Sequence, residues 1–419
     1  MKLSLIIVGN ELLQGKTQEL NGFWLSSFLM SKSIELTQMI IVPDEKEMIT
    51  ECLNKTLQMN DVVLISGGLG PTADDITKEA LAEYFNRDII KSELALEIAT
   101  EQYARIGKDF SEANNDYEKI PEDFHPIRNP AGLAPGLRYK NTQGKLVFAL
   151  PGVPREFQAM FHDELYPYLV KNYQLGLKQK ELFVIRTKKI PEERIFNKLV
   201  PQLWGELAQF GYVSSLPQIM NVDICVLLEE EDPMVIKQKK ESIKQLVLST
   251  PLKDYIWHFG GETLEEVILM KAKEKGITFG FAESCTGGLN ASRMTDIPGA
   301  SASFWGSITS YSNEVKQKAL GVKSKTLKDY GAVSEQTALE MAKGCLKNLN
   351  VDIAISTTGI AGPDGGSKDK PVGTIGVGFA TKKDYSGAEM FHLHGDRLTL
   401  KKRFSQSALF KLLEVIESY

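Results

Sequence analysis

The chain has 419 residues, of which 42% are hydrophobic and 25% charged, and its net charge is −5. That length exceeds one ordinary hydrophobic core and implies two or three domains of globular composition. The negative balance weighs against an extensive nucleic-acid footprint, which needs a basic face, but leaves room for a local basic pocket.

In chain order, the run from Leu3 to Val8 reads as a short buried strand ending at Gly9. It is too short for the apolar region of a secretion signal, and no small-residue cleavage site follows. Leu20, Phe23, Trp24, Leu25, Phe28 and Leu29 recur at helical spacing. Asp61 to Ser66 (DVVLIS) is a second buried strand, running into GGLGPTADD and then the helix ITKEALAEYF. This strand–turn–helix rhythm predicts an α/β domain with a mainly parallel sheet. Ligands in such sheets gather at the carboxyl ends of strands, where GNELLQG and GGLGPTADD both fall. Residues 86–130 read as charged helix followed by loop, and KLVFALPGVPREF as strand, turn and helix. From about 175 to 255, short strands (ELFVIRT, VDICVLLEE) and helices (ERIFNKLVPQLW, VIKQKKESIKQLVL) suggest a small α+β unit.

A new unit opens near 256. Thr263 with Glu266 forms a capping box, and Gly276 suits the position after that helix. ITFGFA is a strand, ESCTGGLNASRMT a turn and helix, SITSYS a strand, and NEVKQKALG a helix. Ser334 caps EQTALEMAKGCLKNL; VDIAISTTG is a strand entering IAGPDGGSKDKP; VGTIGVGFAT is another strand; and a long helix runs from about Leu398. The expected division is therefore 1–170, 171–255 and 256–419. No run approaches the roughly 18 apolar residues of a membrane span. Cys52, Cys225, Cys285 and Cys345 lie far apart with no CxxC pair, which argues against a disulfide framework or zinc site and fits a reducing cytoplasm.

The segment AESCTGG places Ser284 after a strand and before two glycines, Gly287 and Gly288, that permit close backbone approach. Free amides and the positive end of a helix there would stabilise the oxyanion formed when a serine attacks a carbonyl. Serine is also the preferred helix N-cap, so the segment alone leaves both readings open. A serine nucleophile needs a base. None of the five histidines adjoins a suitable turn, and His392 and His394, alternating on one apparent strand, lack a third metal ligand. Lys316 is the alternative base, provided burial or a nearby cation lowers its pKa; otherwise it is a solvated helix lysine. The glycine-rich TTGIAGPDGG, with Thr357, Thr358, Gly359 and Gly362, would cradle an anion or serve as a plain connection. Arg397 in HGDR would offer a bidentate phosphate contact or sit on the surface.

Taken in order, AESCTGG, DIPGAS, YSNEVK, GAVSE, TTGIAGPDGG with KPVGT, and GDR closely resemble the CinA C-terminal domain over about 257–419. That family includes the PncC nicotinamide-nucleotide amidases. The resemblance implies hydrolysis of the carboxamide of nicotinamide mononucleotide to nicotinate mononucleotide and ammonia, with no cofactor. It puts the catalytic serine at Ser284, the lysine at Lys316, a tyrosine at Tyr311, the loop threonine at Thr358 and the phosphate-side arginine at Arg397, with Arg403 nearby. Cys285, Thr286, Gly287, Gly359 and Gly362 would line the substrate, and the amides near Cys285 and Thr286 would hold the oxyanion. Cys285 is a competing nucleophile, but chain neighbours do not easily face one substrate together, and the resemblance favours Ser284.

Residues 1–170 resemble the molybdopterin-binding, MoaB/MogA-like fold at the front of CinA proteins, on GGLGPTADD, NPAGLAPG and LPGVPREF. In these relatives the domain is linked to hydrolysis of ADP-ribose at its pyrophosphate, with a divalent metal of the Mg²⁺ or Co²⁺ type and K⁺. GGLGPTADD places Gly67, Gly68 and Gly70 where a phosphate or pterin phosphate would sit, with the paired Asp74 and Asp75 beside it suiting a Mg²⁺-type ion, and with the resemblance Glu11, Asp74 and Asp75 are assigned to metal or catalysis. From the residues alone, Asp74 and Asp75 equally suit a helix's first turn. The chain departs from the pattern at Asn10, where many relatives carry Asp, at GKTQELN, and at KKIPEERI in the middle segment. The reading is thus a cytoplasmic enzyme of pyridine-nucleotide recycling, expected as a homodimer, with no membrane contact and no direct nucleic-acid binding. Two other classes stay open: a partner protein in competence and recombination, and a molybdopterin-binding protein without hydrolase activity.

Overall fold

The computed structural model describes residues 1–30, 32, 34–110, 115–173 and 178–419. The chain is α/β throughout and falls into two compact units, Met1–Glu181 with Leu227–Ser242, and Leu182–Val226 with Ile243–Tyr419. The residues from 171 to 255 are thus shared between the two.

The first unit is built on β1 (Lys2–Val8), β2 (Glu35–Val42), β3 (Val62–Ser66), β4 (Ile89–Lys91), β5 (Lys119–Pro121), β6 (His125–Ile127), β7 (Gly136–Lys140) and β8 (Leu146–Leu150). Six of them form one sheet in the order β2-β1-β3-β8-β7-β6, while β4 and β5 pair separately. The pairs β1–β2, β1–β3 and β3–β8 are parallel, and β7–β8 and β6–β7 antiparallel. The expected parallel sheet therefore carries an antiparallel edge. Central strands are apolar on both faces because helices cover both. Ile6, Val63 and Ile65 pack on Ile49, Leu53 and Leu57 of the helix Lys46–Met59. Leu5, Ile7 and Phe148 pack on the opposite side against Leu25, Leu29, Phe157 and Phe161. β2 has no counterpart in the sequence reading, because its alternating, half-buried ELTQMIIV lacks the continuous apolar run of β1 and β3.

The second unit holds most of a small sheet of β9 (Gln179–Thr187), β10 (Tyr212–Gln218), β11 (Asn221–Glu230) and β12 (Ile256–Phe259), ordered β10-β11-β9-β12. Its main sheet comprises β13 (Phe279–Glu283), β14 (Phe304–Thr309), β15 (Ile353–Gly359), β16 (Thr374–Thr381) and β17 (Ser386–His392), ordered β14-β13-β15-β16-β17. β13 runs parallel to both neighbours, whereas β15–β16 and β16–β17 are antiparallel. Phe279, Phe281, Ile353, Ile355 and Val377 bury one face with Phe404, Leu409 and Leu412 of the helix Arg397–Ser418. The other face is lined by small residues, so that the helix Glu335–Leu349 can approach closely. A Cβ on Gly378 would lie 2.3 Å from the Ala338 carbonyl oxygen. Thr263 and Glu266 form the expected capping box, and Ser334 accepts the Thr337 amide as expected.

Two boundaries differ from expectation. β14 begins at Phe304 and ends at Thr309, so Ser310–Ser312 is loop rather than strand. β17 ends at His392, leaving His394 outside it; their rings meet edge-on at 4.8 Å. Among the described residues, no helix is long and apolar enough to cross a membrane, and the four cysteines are free thiols.

Candidate active site

Ser284 is the first residue after β13, an inner strand, and its amide donates to the Thr357 carbonyl at 2.9 Å. Lys316 lies on the helix Asn313–Leu320, which starts after the loop leaving β14 and is capped by Ser312. The two strands are parallel neighbours, so both chain exits open at the same sheet edge. Lys316 Nζ stands 2.8 Å from Ser284 Oγ, 2.8 Å from the Ser310 carbonyl and 3.4 Å from that of Tyr311. The lysine is 2% exposed and the serine 7%. Burial holds the Lys316 amine below the usual lysine range, opposed only by the neighbouring Cys285. As an ammonium, Lys316 would use its three N–H bonds on these three oxygens. Loss of one proton frees a lone pair that can receive the Ser284 hydroxyl proton while two carbonyls still hold the amine.

Cys285 stands on the same turn. Burial pushes its thiol up to about 12, only partly offset by its own amide and by Lys316. Such a group is a thiol, not a thiolate, near neutrality, and the thiolate is the reactive form.

The helix after this turn starts only at Leu289, with Gly288 at its cap position. Its free amides are taken by Glu283, which is fully buried. Glu283 Oε2 accepts Gly288 N at 3.0 Å and Asn290 N at 3.1 Å, while Oε1 accepts Ala291 N and the Ser307 hydroxyl at 3.0 Å each. Ser284 is therefore not a helix cap. The expected aid of this helix's positive end to an oxyanion is also corrected, because a carboxylate already occupies it. Glu283 had no signal in the sequence beyond its place before Ser284.

A cavity of about 160 Å³ is lined by Ser284, Cys285, Tyr311, Lys316, Thr358, Gly359 and Arg397, together with Asn313, Ala332, Val333 and Ala361. This volume is close to that of a cavity able to admit one six-membered aromatic ring. The Thr358 hydroxyl donates to the Ala332 carbonyl at 2.6 Å, which ties the 332–333 wall to β15. Arg397 spans the mouth, with Nη1 donating to the Gly362 carbonyl at 2.5 Å and Nη2 to the Tyr311 hydroxyl at 3.1 Å. Tyr311 is exposed and does not bond to Ser284. Thr286, Gly287 and Gly362 do not line the cavity: the Thr286 hydroxyl is buried 2.8 Å from that of Thr357, and Gly362 acts through its carbonyl. Arg403, the other candidate arginine, donates to the His394 carbonyl.

In the first unit, Glu11, Gly67, Gly68, Gly70, Asp74 and Asp75 line one larger cavity of about 640 Å³. Gly67 has φ 107, and a Cβ there would lie 2.4 Å from the Val8 carbonyl oxygen, so the turn admits no side chain. The ionisable side chains of the described lining are Glu11, Glu19, Asp44, Asp74, Asp75, Tyr117 and Glu156, with no lysine, arginine or histidine among them. Asp75 Oδ2 accepts the Thr72 amide at 2.9 Å and also the Thr72 hydroxyl, while Thr72 holds the Asp74 carboxyl below its usual range. Among the described residues, no three His, Cys, Asp or Glu side chains converge closely enough to hold a metal ion. Glu11, Asp74 and Asp75 therefore share a cavity without forming the expected metal cluster.

Residues 261–416 match the CinA C-terminal domain, and residues 4–171 match the probable molybdopterin-binding domain. A putative competence-damage inducible protein of Caldicellulosiruptor saccharolyticus is 37% identical, covering 100% of both chains. One from Clostridioides difficile is 37% identical over 98% of both. Among solved structures, a competence/damage inducible protein from Agrobacterium tumefaciens is 34% identical and covers 38% of this chain and 99% of its own, with a TM-score of 0.36. The chain, matched end to end by these relatives, belongs to the CinA family of competence/damage-inducible proteins and carries a molybdopterin-binding-like domain at its front.

Proposed function

We propose that the C-terminal unit hydrolyses the carboxamide of nicotinamide mononucleotide. The observation that carries this reading is the buried Lys316 amine 2.8 Å from Ser284 Oγ, with no carboxylate among the described residues bonded to it. Ser284 passes its proton to neutral Lys316 as Oγ attacks the amide carbon. The oxyanion rests on the amides of Cys285 and Thr286, the loop donors left once Glu283 has taken those of the helix. Lys316 returns the proton to the departing nitrogen, the C–N bond breaks and ammonia leaves an acyl-Ser284 ester. Water then attacks the ester, gives its proton to Lys316 and releases the carboxylate, and Ser284 regains its proton. The cavity's volume of about 160 Å³ suits a pyridine ring, and the Arg397 guanidinium in its lining suits the phosphate. Wild type should release ammonia from nicotinamide mononucleotide and Ser284→Ala should not. A wild type that releases none favours a partner-protein role for this family member.

The front cavity supports a second activity, hydrolysis of ADP-ribose at its pyrophosphate. Its carboxylates alone would repel a pyrophosphate, so an anionic ligand there needs accompanying cations. Glu11, Asp74 and Asp75 offer hard oxygen donors of the kind Mg²⁺ or Co²⁺ takes, but they do not converge, so such an ion would draw most of its shell from ligand phosphates and water, as is common for Mg²⁺. Cations held there, a divalent ion and K⁺, would supply charge neutralisation for the pyrophosphate. ADP-ribose cleavage should need added divalent metal and fall in Asp75→Ala; cleavage that survives EDTA removes the metal from this reading. Binding of molybdopterin without any cleavage would leave the front domain a carrier.

A further inference from the structure

The helix Arg397–Ser418 begins RLTLKKR, with no acidic residue in its first turn. Four cations thus stand in the first two turns of a 22-residue helix, with Arg397 in the first turn, where the dipole disfavours positive charge. Asp396 offsets some of this as the cap, accepting the Thr399 amide at 2.8 Å. Arg403 is accounted for by its bond to the His394 carbonyl. Lys401 is not: among the described residues it has no hydrogen bond or ion pair, although it is half-buried. It lies four residues after Arg397, on the same helix face, where two like charges destabilise a helix. Its amine is directed at the Ser284 turn, with Nζ 3.7 Å from where a Cβ on Gly287 would stand. Gly287 has φ 61 and no side chain to screen that approach.

We infer that Lys401 and Arg397 form a two-cation clamp for a phosphate monoester dianion, and that Lys401 makes the C-terminal site select nucleotides over nucleosides. The inference rests on the amidase reading and deepens it by naming a phosphate-reading residue. Arg397 lines the cavity and contributes a guanidinium held in place by Gly362 and Tyr311, while Lys401, outside the cavity lining and beside Gly287, contributes an ammonium with no partner among the described residues. The helix accepts the mutual repulsion of the two because a dianion relieves it.

The test compares nicotinamide mononucleotide with nicotinamide riboside, which lacks the phosphate. In Lys401→Ala the ratio of kcat/KM for the two substrates should fall about tenfold or more, mainly through KM for the nucleotide. Lys401→Arg should restore most of the ratio, and Lys401→Glu should lower it further. An unchanged ratio in Lys401→Ala overturns the inference. A second readout does not need turnover: titration of inorganic phosphate by ³¹P NMR should show weaker binding in Lys401→Ala than in wild type. If wild type releases no ammonia, the amidase reading falls, and this titration still decides whether Lys401 holds phosphate. Equal phosphate binding in wild type and Lys401→Ala then refutes the clamp.

Discussion

Replacing Lys316 by methionine keeps the apolar stem and removes the amine that faces Ser284 Oγ. A positioned general base contributes about 10²–10⁴-fold, equivalent to about 2.7–5.4 kcal/mol of barrier. Because no histidine or carboxylate among the described residues bonds to Ser284, none stands ready to replace Lys316 as base, and the loss should lie toward the upper end. Burial lowers the Lys316 pKa, so the neutral, working amine grows with pH through that depressed value. Ammonia release in wild type should rise on this acid limb and level off above it, at a pH below that of an ordinary lysine's titration. Lys316→Met should lose both the rate and the limb. Lys316→Arg keeps the positive charge but cannot surrender a proton, so it should be as inactive as the methionine variant. Substantial activity in Lys316→Arg would show that a fixed cation suffices and would refute the base. So would a Lys316→Met enzyme within threefold of wild type.

Three other outcomes follow from the same geometry. Cys285→Ala should keep most ammonia release, and wild type should react slowly with iodoacetamide at pH 8, because the Cys285 thiol is pushed up to about 12; rapid alkylation with loss of activity would reverse the roles of Ser284 and Cys285. Glu283→Gln replaces one acceptor oxygen with an NH2 donor facing groups that already donate, so it should cost about 2–3 kcal/mol and lower the thermal midpoint even where Ser284 is intact. Gly67→Ala forces a Cβ against the Val8 carbonyl at positive φ and should cost at least about 1–3 kcal/mol, read as an earlier melt of the first unit with ammonia release kept.

Much of this arrangement is readable in the chain because its signals are local. β1 and β3 are apolar runs, β13 and β15 begin with apolar residues, and all four lead into glycine-rich turns; Thr263, Glu266 and Ser334 are caps that need only their own neighbours. The proximity of Ser284 and Lys316 is not local: 32 positions separate them, and only the parallel pairing of β13 with β14 joins them. The family resemblance suggested that pair; periodicity alone left Lys316 a surface lysine. Glu283 escaped notice because a buried carboxylate capping a distant turn looks, in sequence, like any acidic residue beside a strand. β2 is hard to read because polar residues interrupt its apolar pattern, whereas the helix Lys46–Met59, absent from the elements read in sequence, carries a regular apolar spacing at Ile49, Cys52, Leu53 and Leu57. Glu11, Asp74 and Asp75 showed the converse, sharing a cavity wall without converging.

The nucleophile and its base hang from strands of unequal security. Ser284 leaves β13, flanked on both sides, whereas the carbonyls of Ser310 and Tyr311 that hold Lys316 follow β14, the outermost strand, paired on one side only. Margins of a sheet fray at lower free energy than its centre. On warming, the base would drift from the serine while the scaffold around β15 and β16 stayed folded. Hydrolysis should therefore fail at a lower temperature than the fold does, and amide protons of Trp305 to Thr309 should exchange before those of Phe279 to Glu283.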